Sequence, residues 1–148
     1  MLPVRKILCP TDFSEPSLSG VAAADELAAH FKAELLLVTV VTPIHPTGGP
    51  RIPESSELHR DLVDYATEAL AKIAAERITP GVRMRQFVAH GNAADEIAAL
   101  ARDHAVDLLV IATHGWTGWR RLMFGSVTHK VIRMVACPVL TITGPAAD

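Results

Sequence analysis

The chain has 148 residues, of which 49% are hydrophobic and 20% charged, and its formal net charge is −2 at pH 7. That length suits one domain with a proper core and falls short of two. The slight negative charge argues against nucleic acid or an anionic membrane surface as a partner, and no apolar run reaches the roughly 18 residues of a membrane span.

Residues 4–9 read as a first strand and lack the long apolar core of a secretion signal. Thr11-Asp12-Phe13-Ser14 then turns the chain. Ser14 is a candidate N-cap, and Glu15 and Pro16 suit a first helical turn. The helix that follows extends to about Phe31, with Leu18, Val21, Ala22, Leu27 and Ala28 near helical spacing. Residues 35–41 form an apolar run, the pattern of a strand buried on both faces. Residues 42–56 break the pattern with four of the chain's ten prolines and a Gly48-Gly49 pair, which predicts a long surface loop.

A helix is expected over residues 57–78, with a stripe of Leu58, Leu62, Tyr65, Ala69, Leu70 and Ile73. Residues 82–89 alternate weakly and read as a strand. His90-Gly91-Asn92 leads into a helix from Ala93 to about His104, where Asn92 and Asp95 resemble a capping box. Residues 107–112 are the next buried strand, 126–135 the last helix and 138–143 the last strand, followed by a frayed tail, 144–148. Cys9 and Cys137 both lie in apolar, strand-like contexts, which predicts buried reduced thiols and a cytoplasmic setting.

Five strands separated by four helices predict an α/β domain with an open, parallel, Rossmann-like sheet covered on both faces. In such a sheet the ligand sits beyond the carboxyl ends of the strands, where the strand order reverses. Three turns leave those ends with polar or glycine-rich chemistry: Pro10-Thr11-Asp12, His90-Gly91-Asn92 and Thr113-His114-Gly115. The richest stretch is residues 108–127, LLVIATHGWTGWRRLMFGSV. A strand enters a loop rich in glycine and basic residues that closes with Gly125-Ser126 at a helix start. A helix N-terminus offers free N–H groups and the positive end of the macrodipole, a seat for phosphate. Gly115, Gly118 and Gly125 allow close backbone approach. No lysine follows Gly125, so this is not a Walker A loop, and it is not the GxGxxG fingerprint either.

These residues carry a resemblance to the single-domain universal stress proteins. It covers nearly the whole chain, from KILCPTDFSEPS to GSVTHKVIRMVACPVLTI. The family's nucleotide-binding members share glycine, two residues, glycine, nine residues, then glycine with serine or threonine. Gly115, the nine residues 116–124 and Gly125-Ser126 fit; the first glycine falls on Ala112, a departure. The resemblance implies a fold of the adenine nucleotide alpha-hydrolase type binding ATP, AMP or another adenine nucleotide. It places Asp12 at the ribose or adenine side, shaped by Pro10 and Thr11, with Val40 and Ile111 at strand ends beside the base. Gly115, Gly125, Ser126, Val127 and Thr128 would surround the phosphates and ribose. Any Mg2+ would lean on the phosphates and water, because no carboxylates cluster near the loop. The resemblance further implies a homodimer paired along the last strand, Val139 to Ile142, which covers an apolar edge.

Several residues keep a second reading. Asp12 is a turn or capping residue as well as a ligand contact, and Ser126 serves equally as an N-cap. His114 reads as structural before it reads as a general base or phosphate contact, and His90 is similar. The seven histidines show no zinc spacing. Trp119 reads as packing with Leu122, Met123 and Phe124, while Trp116 is either packing, a lid or a partner surface. Arg120 and Arg121 are either solvated charges or counter-charges to phosphate. Residues 42–51 read as a lid, a protein-binding loop or disorder. With no P-loop lysine, acidic cluster or evident base, a nucleotide-dependent sensor with at most slow hydrolysis is expected. The alternatives are a transferase of adenylyl or phosphoryl groups and a nucleotide-free dimeric module.

Overall fold

The chain, in a computed structural model, is described at residues 3–43, 53, 56–114 and 125–143. Strands and helices alternate as β1 (Lys6–Pro10), α1 (Glu15–Phe31), β2 (Glu34–Val41), α2 (Glu57–Arg77), β3 (Met84–His90), α3 (Ala93–Asp103), β4 (Leu108–Ala112), α4 (Ser126–Met134) and β5 (Val139–Ile142). Each boundary lies within two residues of the sequence expectation. The largest shifts at a start, two residues each, are at β1 and β3; at β3, residues 82 and 83 belong to the approach from a turn closed by Val82 N–H to the Thr79 carbonyl.

All strand pairs are parallel, in the order β3-β2-β1-β4-β5. This is the open α/β sheet covered on both faces. Strand alternation divides the core in two. Ile7, Cys9, Leu35, Leu37 and Val110 pack with Leu18, Val21 and Ala28 of α1 and Leu70 and Ile73 of α2. Leu8, Leu36, Val38, Leu109 and Ile111 face the other way, onto Ala94, Ile97 and Ala101 of α3 and Val131 of α4. Fully buried leucine and isoleucine side chains of this kind each contribute about 1.5–3 kcal/mol.

The two-face division follows from handedness. A right-handed crossover fixes the face on which its helix lands once the direction of travel along the sheet is set. The chain steps from β1 to β2 to β3 with α1 and α2 on one face, then crosses to β4 and β5 with α3 and α4 on the other. The reversal leaves β1 and β4 adjacent, with their connections departing on opposite faces.

Local chemistry sets the ends of the helices. Ser14, Ser56 and Asn92 cap α1, α2 and α3 with side-chain oxygens, and each of these helices carries an acidic residue in its first turn. Asn92 Oδ1 accepts from both Ala94 and Asp95 N–H, the capping half of the motif foreseen there. Gly91 before it has φ +133°, and a Cβ would lie 3.1 Å from Glu96 Oε1, so glycine is required. The buried Asp25 carboxylate of α1 accepts from Thr79 N–H at 3.0 Å and Thr79 Oγ1 at 2.7 Å, holding α1 to the α2–β3 turn. Asp107 Oδ2 takes the N–H groups of Arg5 and Lys6, fixing the start of β1 to β4.

The two sheet edges differ. Edge strand β3 presents exposed Arg85 and Gln86, with the Arg85 guanidinium 5.1 Å from the centre of the Phe87 ring. Edge strand β5 lies opposite and exposes Leu140 at 39%. Charge on an edge discourages pairing, whereas an apolar edge invites it.

Two consequences can be checked. Asp25→Ala removes a buried acceptor serving two donors and should lower unfolding free energy by about 2 kcal/mol in urea. Burial pushes the Cys9 thiol from 9.0 to about 12. The unfolded chain therefore releases this proton first as pH rises through 9, and folded stability falls from there upward. Cys9→Ala lacks this contribution, so the stability gap between wild type and variant should narrow between pH 8 and pH 10.5; a constant gap would contradict the buried neutral thiol.

Candidate functional site

The carboxyl ends of β1, β2 and β4 and the start of α4 enclose a cavity of about 250 Å3. Nine of the ten positions expected from the sequence line it: Pro10, Thr11, Asp12, Val40, Ile111, Gly125, Ser126, Val127 and Thr128. The tenth, Gly115, lies outside the described residues, as do Trp116, Gly118, Trp119, Arg120, Arg121, Leu122, Met123 and Phe124. Residues 44–52 of the proline-rich segment and the tail 144–148 lie outside them too.

The floor is built from strand ends. Thr11 N–H donates to the Val38 carbonyl at 2.8 Å, extending the β1–β2 ladder one residue past β1. Buried Thr11 Oγ1 meets Ser17 Oγ at 2.9 Å and accepts from Phe13 N–H, which fixes the tight turn. Phe13 takes the left-handed conformation there, at φ 68°. Asp12 Oδ1 accepts from Ser14 N–H at 3.0 Å and from Ser14 Oγ, so the turn role foreseen for Asp12 is present. Asp12 is nonetheless exposed at the cavity rim. The turn and rim roles coexist in one side chain.

The opposite wall joins β4 to α4. Gly125 N–H donates to the Thr113 carbonyl at 2.7 Å, and buried Thr128 Oγ1 donates to the Ala112 carbonyl at 2.8 Å. A Cβ on Gly125 would lie 3.2 Å from the Thr113 carbonyl oxygen, so the N-terminus of α4 and the end of β4 touch with little room to spare. Ala112 is the last residue of β4 and has no left-handed backbone, so its departure from glycine costs no conformational strain.

The start of α4 breaks the rule of the other helices. Its N-cap is Gly125, not Ser126, which is the first helical residue. No side chain caps this end, and no acid lies in its first turn. The first backbone bond of the helix runs from His129 N–H to the Gly125 carbonyl. The N–H groups of Ser126, Val127 and Thr128 thus have no acceptor within the helix, and these three residues line the cavity.

Sequence reasoning missed Ser17, Val38, Ala93, Ile97 and Ala112 as cavity residues, and it put a structural role for His114 before a phosphate contact. Two of these were recoverable from periodicity. Val38 shares a strand face with Val40, and Ile97 follows Ala93 by one helical turn. The contact between α3 and the end of β2 was not, because it depends on the crossing of the chain from one face to the other. His90, at the end of β3, is not in the cavity. It pairs with His59 of α2, Nδ1 to Nε2 at 3.1 Å. A wider depression of about 550 Å3 beside that pair is lined by His59, Arg60, Val63, Asp64 and His90. The bond engages one ring nitrogen of each histidine.

Comparison with known proteins agrees with the fold. The model of the Universal stress protein family matches residues 3–143. A universal stress protein of Methanocaldococcus jannaschii, MJ0531, is 35% identical over 145 residues, covering 97% of this chain and 85% of the relative. The solved structure of the protein MJ0577, from the same organism, is similar at a TM-score of 0.77 and 27% identity, covering 97% of this chain and 99% of that one. A universal stress protein solved in complex with cAMP is similar at a TM-score of 0.69 and 26% identity, covering 94% and 97% of the two chains. A crossing parallel sheet, a match along almost its whole length and a relative above 30% identity lead to one conclusion: the chain belongs to the universal stress protein family.

Proposed function

We propose that this chain binds an adenine nucleotide in the cavity between β1 and β4 and acts as a dimeric, nucleotide-dependent regulator of the stress response. The observation that carries the reading is the uncapped, acid-free N-terminus of α4. Three of the helices satisfy their first amides with Ser14, Ser56 and Asn92 and place an acid in the first turn. α4 leaves both tasks to something outside the helix, and a phosphate group performs both at once.

The rest of the cavity suits the remainder of a nucleotide. Val38, Val40, Ile97 and Ile111 supply apolar walls for a base, and Asp12 supplies an exposed acceptor for ribose hydroxyls. A volume near 250 Å3 is just below the ~300 Å3 at which ordinary small-molecule sites begin. That scale suits a ligand of small-molecule size. The family relative bound to cAMP supports an adenine nucleotide as the ligand class. ATP is the form we favour, with Gly115 joining Gly125, Ser126, Val127 and Thr128 around the phosphates.

The same lining argues for retention over turnover. Among the described residues Asp12 is the one carboxylate at the cavity, and no lysine or arginine lines it. A Mg2+ accompanying the nucleotide would therefore rest on phosphate oxygens and water, with Asp12 the single anionic side chain in reach. The chain supplies binding and orientation, and hydrolysis, where it occurs, is slow. A second copy of the chain is the partner best suited to β5, whose Leu140 is exposed.

Calorimetric titration of nucleotide-free protein with Mg-ATP, and separately with AMP, should give micromolar binding. Gly125→Val, which crowds the Thr113 carbonyl and screens the α4 amides, should weaken it at least about tenfold while the circular dichroism spectrum stays unchanged. Absence of both heat and thermal stabilisation in wild type would sink the nucleotide reading. Sedimentation should show twice the 15.9 kDa chain mass, and Leu140→Lys should reduce it to one chain. A wild-type monomer would dispose of the dimer.

A further inference from the structure

His59 and His90 are 31 positions apart in the chain, and the fold brings their rings together. His59 Nε2 and His90 Nδ1 lie 3.1 Å apart, with the ring centroids at 5.1 Å. Both histidines line the depression of about 550 Å3, where the charges of Arg60 and Asp64 offset each other. Each stands at a backbone position that hydrogen bonds fix. His59 N–H donates to Ser56 Oγ at 3.1 Å in the first turn of α2. His90 ends β3 in register with Val41 of β2, and the following N–H, of Gly91, donates to the Val41 carbonyl at 3.1 Å. Two imidazoles, one from a helix and one from a strand, thus converge on rigid supports.

One imidazole N–H donating to the other accounts for the contact in the absence of a ligand. The same spacing suits a shared ion. Zinc binds histidine nitrogen at about 2.0–2.1 Å in tetrahedral geometry, which sets two ligand nitrogens about 3.3 Å apart. The pair needs to open by only a few tenths of an ångström to admit it. We infer that His59 Nε2 and His90 Nδ1 are the protein ligands of a divalent transition-metal site, for the imidazole-preferring ions Zn2+, Cu2+ and Ni2+. Both rings bind as neutral imidazoles. The ring that donated shifts its proton to its other nitrogen, where the second ring already carries its own. Among the described residues no third His, Cys, Asp or Glu stands in ligand range, so water fills the remaining positions. Nitrogen ligands favour these ions over Mg2+, which takes oxygen. An ion held there ties the first turn of α2 to the end of β3. The pair does not line the nucleotide cavity, so the site is independent of the nucleotide reading.

Calorimetric titration of the full chain, free of nucleotide and of any histidine tag, with ZnCl2 provides the test. One ion per chain should bind in the micromolar range and raise the melting temperature, and EDTA should reverse both. MgCl2 should do neither. His90→Ala changes an exposed side chain and should weaken zinc binding at least about tenfold with the circular dichroism spectrum unchanged. His59→Gln keeps a polar group at the buried position and should weaken it as much. In NMR spectra of wild type, Zn2+ should move the ring resonances of His59 and His90 and leave those of the other histidines in place. Absence of zinc binding in wild type would overturn the inference. So would full zinc affinity in either variant, or shifts confined to other histidines.

Discussion

The handedness of the strand crossovers is the constraint on which the site depends. Because each crossover is right-handed, the chain can reverse direction along the sheet only by moving its helices to the other face. It does so once, between β3 and β4, and the reversal brings β1 and β4 side by side at the centre of the sheet. No side chain of the cavity is responsible for the cavity's existence. Thr11, Asp12, Ile111 and Ala112 reach it because they end or follow the two strands that the reversal makes neighbours.

Within that frame, the division of labour among helix ends carries the chemistry. α1, α2 and α3 are self-sufficient, each closed by a polar side chain and balanced by an acid. α4 is incomplete in both respects, and it is held in place by contacts other than capping: Gly125 to the Thr113 carbonyl and Thr128 to the Ala112 carbonyl. The helix is thus anchored while its first amides have no acceptor within the helix. An end that used its own hydroxyl as a cap would be a more stable helix end and a poorer anion seat. The exchange is small in energy, about 1 kcal/mol for a missing cap.

Much of this was legible in the sequence. The buried strands declared themselves because a parallel sheet covered on both faces needs apolar side chains in both directions, as in Leu35 to Val41. Capping residues Ser14 and Asn92 were visible because their chemistry is local. The site was legible through glycine spacing and family resemblance together, and nine of its expected positions meet in one cavity. What escaped was non-local. The contribution of Ile97 depends on which face α3 packs against, and the Asp25 bond to Thr79 joins residues 54 positions apart with no pattern between them. Ser126 was open to reading as a cap because serine favours that position, but the close contact of Gly125 with Thr113 takes the capping place first.

The unequal edges of the sheet bear on how large an assembly can grow. β3 presents Arg85 and Gln86 to solvent, while β5 presents Leu140. A chain with two receptive edges can add copies without end, head to tail, and become a fibre. With a single receptive edge it has a valence of one. A contact of β5 with the same strand of another copy would leave nothing to extend. Growth through such a contact would stop at a closed pair, so the polarity of β3 would guard against polymerisation through β5.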